Sequence, residues 1–98
     1  MNLPERIKIA GVHYDVEPFE DEENYGTCLY TKLLIRVDPR LKQRKQEQVL
    51  VHEMLHAIYL EAGYKEHDEE VIDRVSKVLY QVLCDNDFKF GGRVKHGG

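Results

Sequence analysis

One stretch constrains the fold more than any other. Val49-Leu50-Val51-His52-Glu53-Met54-Leu55-His56-Ala57-Ile58-Tyr59-Leu60 is apolar on nearly every face of a helix. Such a helix is buried on most sides. It belongs to a longer helical run. Asp38-Pro39 is a helix-start signal, because aspartate accepts from exposed amides and proline fits the first helical position. Nothing breaks the helix from about Leu41 to Ala62, and Gly63 supplies a C-terminal stop. Its first half, Arg40 to Gln46, is basic and must project into solvent. Cations near a helix N-terminus are mildly unfavourable, so this segment reads as a solvated face or as a patch for an acidic partner.

The helix sits in a chain of 98 residues, enough for one small domain with a thin core. That length excludes a classical dinucleotide-binding domain, a barrel enzyme and a two-domain cleft. The formal charge of −4 argues against nucleic acid as the main partner. No apolar run approaches the roughly 20 residues needed to span a bilayer. The start, Met1-Asn2-Leu3-Pro4-Glu5-Arg6, lacks the pattern of a secretion signal. The expectation is a cytoplasmic protein without membrane or nucleic-acid partners. Cys28 and Cys84 then read as small buried apolar groups in reducing surroundings.

The remaining elements complete an α+β pattern. Residues 5–19 read as extended, with Ala10-Gly11 as a turn between two short strands. The acidic cluster Glu20 to Asn24 reads as a solvated loop. Tyr25 to Val37 reads as a hairpin connected at Thr31-Lys32. A second helix runs from about Asp68 to Cys84, its apolar stripe formed by Val71, Ile72, Val75, Val78, Leu79, Val82 and Leu83. The expected architecture is a small antiparallel sheet of about three strands packed on two helices. Residues 1–88 form its single domain and 89–98 a flexible tail.

His52-Glu53-Met54-Leu55-His56 is H-E-x-x-H. Residues four apart lie one turn above each other on one helix face, so two imidazoles can reach one metal ion. Glu53 sits on the shoulder of that face. Zinc lowers the pKa of a bound water, and the carboxylate can take its proton as the water attacks a carbonyl. Two core histidines bonded to backbone groups are the structural alternative.

A zinc peptidase needs a third protein ligand. The candidates are His67, Asp68, Glu69, Glu70 and Asp73. The apolar stripe of the second helix centres near Asp68. Glu69 then lies on its flank, and Glu70 and Asp73 lie toward solvent. That favours Glu69, with Glu70 next and His67 or Asp68 behind. Asp73, one turn beyond Glu69, could orient a ligating histidine. Acidic residues in a first helical turn are also stabilising without any metal. Tyr59, Tyr64 and Tyr80 are candidates to stabilise an oxyanion. His13 reads as structural or exposed.

A hairpin, a helix with His52-Glu53-Met54-Leu55-His56 and a second helix with Glu69-Glu70-Val71-Ile72-Asp73-Arg74-Val75-Ser76 resemble the ImmA/IrrE-like zinc metallopeptidases. The closer likeness is to short relatives in phages and integrated elements of Gram-positive bacteria. The resemblance covers about Tyr25 to Asn86. It implies a minimal zincin-like, gluzincin-like core. One Zn²⁺ would be held by His52, His56 and a glutamate four residues before an Asp or Asn, which here is Glu69 before Asp73. Glu53 would be the general base in hydrolysis of a protein or peptide substrate. It further implies that the Leu33–Val37 strand holds the substrate in extended form. Members with known roles cleave, or trigger loss of, repressors of mobile elements or stress genes. This chain departs from the family at Ile72, where alanine is usual, and at Val75-Ser76, in place of Phe-Ala. Two alternatives stand beside the enzyme: a metal-stabilised binding module that regulates a partner without cleaving it, and a plain helical hairpin. Fe²⁺, Mn²⁺ or Ni²⁺ would also suit two histidines and a carboxylate.

Overall fold

The computed structural model describes residues 1–92; the expected tail over 89–98 lies mostly outside them. The fold is α+β. It has a sheet of β1 (Arg6–Ile9), β2 (Val12–Pro18), β3 (Gly26–Leu29) and β4 (Leu34–Val37), followed by helices α1 (Gln43–Glu61) and α2 (Glu69–Asp85). The sheet order is β1-β2-β4-β3. Ala10 and Gly11 make the expected turn, both at positive φ (51° and 81°), as a two-residue hairpin connection demands. The sheet has four strands and is mixed, because β4 enters parallel to β2 and antiparallel to β3. This puts β4 inside the sheet with both edges paired. Its expected role as the substrate-holding edge is therefore corrected, and the edge strands are β1 and β3.

Alternation places Tyr14, Val16, Ile35 and Val37 on one sheet face, where they are buried against Val49, Leu50 and Ala57 of α1. The opposite face is polar. The Arg36 guanidinium donates to Glu17 at 2.9 Å across the parallel pair and lies over the Phe19 ring at 4.3 Å. His13 is exposed on this side. Tyr14 pins the core to α1, its hydroxyl donating to Glu61 at 2.7 Å.

Several local expectations change. The β3–β4 connection is a 3₁₀ turn over Tyr30–Lys32 followed by Leu33 at φ 50°, longer than a tight Thr31-Lys32 turn. Asp38 does not cap α1. Its buried carboxylate accepts from the Arg40 amide at 2.9 Å and from the Arg40 guanidinium at 2.8 Å, and the helix starts later with Lys42 before it. Gln46 ties this entry turn down, donating to the Pro39 and Leu41 carbonyls. At the other end the reading holds. Gly63, at φ 101°, ends α1 with its amide donating to Leu60 O and the Tyr64 amide to Tyr59 O, a Schellman arrangement.

Only part of the apolar stripe of α2, Ile72 and the half-buried Leu79, lies on the buried face. Ile72, Ser76 and Tyr80 pack inward, while Val71, Val75, Val78, Val82 and Leu83 are exposed. Polar contacts to α1 select the rotation of α2: the Tyr80 hydroxyl donates to Glu47 at 2.6 Å, and Glu69 meets the α1 histidines. Cys84 on this helix is exposed rather than buried, and both cysteines are free. Among the described residues no helix is long and apolar enough to cross a membrane.

Candidate metal centre

Two helices build the site. α1 stacks His52 and His56 one turn apart, with ring centroids 5.2 Å apart. α2 starts beside them because Asp68 caps it, its Oδ1 accepting from the Glu70 amide at 3.0 Å. The cap fixes the first turn, and the first turn carries Glu69. Glu69 Oε1 lies 3.0 Å from His52 Nε2 and Oε2 lies 2.9 Å from His56 Nε2. One donor atom from each of the three residues lies within 4.8 Å of the other two.

The other candidates fall elsewhere. Glu70 points away and pairs with Arg74 at 2.8 Å. Asp68 is spent on the cap. His67 has both ring nitrogens engaged, with Nδ1 2.8 Å from His56 Nδ1 and Nε2 3.0 Å from the Tyr64 carbonyl oxygen. Glu69 thus joins the two histidines as the reading of α2 proposed, but by a different route. It extends the inward face of Ile72, Ser76 and Tyr80, not the flank of the valine stripe. Asp73 faces solvent as expected, pairing with Lys77 at 3.1 Å, while its Oδ1 stands 3.7 Å from His52 Nδ1. Ser76, which the sequence reading passed over, is nearer. Its hydroxyl donates to the Asp73 carbonyl at 3.0 Å and so turns a lone pair toward His52 Nδ1 at 3.5 Å.

The donor set fits a divalent cation. With its proton on Nδ1, facing Ser76 and Asp73, a neutral His52 aims the lone pair of Nε2 at the Glu69 carboxylate. A lone pair against an anion at 3.0 Å is repulsive until a cation or proton comes between them. Burial holds His56 below the ordinary imidazole range, against the raising pull of Glu69. Burial tends to raise the Glu69 carboxyl, but the neighbouring imidazoles of His52 and His56 outweigh it and hold it low. Two imidazoles and an ionised carboxylate are a ligand set for zinc and for other first-row ions.

Glu53 lies beside this triad on α1. Burial pushes its carboxyl up to about 7, with His52 pulling it down and Glu69 adding to the rise. It faces a groove of about 660 Å³ whose floor is α1 and whose walls are β3 and α2. Gly26 lets β3 approach so closely. A Cβ there would stand 2.5 Å from Val49 Cγ1, 3.0 Å from the Arg36 carbonyl oxygen and 3.2 Å from Glu53 Cγ. Cys28 lines the same wall, its thiol pushed up to about 12 by burial and then by Glu53. The proposed oxyanion tyrosines are not on the groove. Tyr80 is bonded to Glu47, and Tyr59 packs against Tyr64 and His67. Tyr30 is closer in electrostatic terms: burial raises its phenol to about 12, and Cys28, Glu53 and Glu69 add to the rise. No family model matches the chain, and no curated protein or solved structure does.

Proposed function

We propose that the chain is a zinc-dependent peptidase, with His52, His56 and Glu69 as metal ligands and Glu53 as general base. The observation that supports this reading best is the convergence of those three donors at the floor of a groove, beside a half-buried Glu53. A divalent ion held by the triad would supply Lewis-acid polarisation of water and of the scissile carbonyl. The protein's own residues do the rest. Ser76 and Asp73 orient His52. Glu53 takes a proton from the attacking water and delivers it to the departing amine, so that the peptide bond breaks to a carboxylate and an amine. Its raised carboxyl suits it to hold that proton between the two steps.

The groove also suits an extended substrate. β3 is the edge strand that lines the groove, and one side of Gly26–Leu29 has no strand partner among the described residues. A peptide lying along it would pair with the backbone and pass over Glu53. The cytoplasmic setting expected from the sequence and the mobile-element setting implied by the family resemblance belong to this same proposal.

The test is cleavage of a peptide library by the zinc-loaded protein and by Glu53→Gln. The account expects turnover in the wild type and none in the variant, with zinc retained by both. Cleavage that persists in Glu53→Gln refutes the mechanism. A Glu53→Gln protein that still acts in cells favours the non-catalytic module.

A further inference from the structure

The partner of His56 on the side away from the triad is another imidazole. The rings of His56 and His67 lie nearly coplanar, edge to edge, with centroids 5.0 Å apart at 23°, and Tyr59 and Tyr30 stand edge-on to His67 at 5.5 and 6.1 Å. The Schellman bend at Gly63 turns the chain after α1 and sets the Tyr64 carbonyl against His67 Nε2. We propose that His67 is a positioning residue: it fixes the proton of His56 on Nδ1, so that Nε2 offers its lone pair to the cation. This rests on the metal-site reading above.

The assignment follows from which atoms can accept. A carbonyl oxygen only accepts, so His67 Nε2, at 3.0 Å from it, carries a proton. In a neutral ring His67 Nδ1 is then an acceptor. His56 Nδ1, 2.8 Å away, must donate to it. In a neutral His56 the remaining lone pair is on Nε2, the atom that faces Glu69. With a cation between His56 Nε2 and Glu69, so that the carboxylate asks that nitrogen for no proton, one fixed point, the Tyr64 carbonyl, settles both tautomers. The free neutral histidine side chain prefers its proton on Nε2, which would block ligation at that atom, so the relay reverses an intrinsic preference. A carboxylate or carbonyl is the usual partner for the far nitrogen of a ligating histidine. A neutral imidazole here orients the ligand without adding negative charge to the site.

Two measurements test this on the full chain. Nitrogen-15 NMR of metal-free Glu69→Ala at about pH 8.5, above the ordinary imidazole range, reads the tautomers without a carboxylate competing for the His56 proton. His56 should carry its proton on Nδ1 in Glu69→Ala and lose that preference when His67→Phe is added. Zinc affinity of the otherwise unaltered chain, measured by competition with a chromophoric chelator, should fall by about 10- to 100-fold in His67→Phe. His67→Asn, which places an amide oxygen where Nδ1 stood, should recover most of it. A His56 protonated on Nε2 in Glu69→Ala overturns the proposal, and so does unchanged affinity in His67→Phe. If His67→Phe does not fold, the Glu69→Ala tautomer and the Asn variant decide. A wild type that binds no zinc while His56 of Glu69→Ala holds its proton on Nδ1 refutes the metal-site reading instead.

Discussion

Replacing Gly26 by alanine should both destabilise the fold and disturb the candidate site. The added Cβ would stand 2.5 Å from Val49 Cγ1 and 3.0 Å from the Arg36 carbonyl oxygen. Neither neighbour yields easily. A valine on a helix is held close to one rotamer, and the carbonyl belongs to the central strand β4. β3 must therefore lift away from α1, at the cost typical of overpacking, about 1–3 kcal/mol. For a domain of this size about 2 kcal/mol lowers Tm by roughly 8–16 °C. Because Glu53 Cγ lies 3.2 Å from the same point, the shift also reaches the groove floor. The assay is urea unfolding of Gly26→Ala, Val49→Ala and the double variant. Removing Val49 Cγ1 should absorb part of the alanine penalty, giving a coupling of about 0.5–3 kcal/mol. Strict additivity, or a Gly26→Ala protein as stable as the wild type, would refute the close approach of β3 to α1.

Tyr14→Phe removes a buried hydroxyl from Glu61 and should cost about 1.5 kcal/mol by urea unfolding, the low end for a bond to a charged acceptor because Glu61 stays partly hydrated. The Arg40 guanidinium and amide hold the Asp38 carboxyl below its usual range, as the Tyr80 and Gln43 donors do for Glu47. Both contributions are fully present above the unfolded carboxyl values near 4, and are lost as pH falls through the lower folded values. Asp38→Asn should therefore narrow the gap between the urea midpoints at pH 6 and pH 3, and an unchanged gap would count against the Asp38–Arg40 contact. Zinc at a hundredfold excess over its Kd should stabilise by about 2.7 kcal/mol and raise Tm by roughly 10–20 °C, reversibly with chelator. A scan indifferent to both additives would leave the triad without an ion.

What was legible in the sequence was local. H-E-x-x-H needs only the helical repeat to bring His52 and His56 together, and Gly63 marks its own position as a helix end. The short strands and the Ala10-Gly11 turn follow from alternation and turn chemistry. Tertiary choices were not visible. The inward face of α2 is set by Tyr80 reaching Glu47 and Glu69 reaching the histidines, and these outweigh a valine ridge that hydrophobicity alone would bury. Asp38-Pro39 carries a helix-start signal, but Arg40 competes for the aspartate and wins. Leu33 adopts a left-handed conformation that no residue-type preference announces. Ser76 and His67 owe their places to the packing of α2 and to the bend after α1, neither of which a spacing reveals.

The central claim is that His52, His56 and Glu69 hold one metal ion. The most direct test is metal content by mass spectrometry on untagged protein purified beside Glu69→Gln and Glu70→Gln. The account predicts roughly one zinc per chain in the wild type and in Glu70→Gln, and loss of zinc in Glu69→Gln. A wild type that carries no metal, even after zinc is added back, would contradict it.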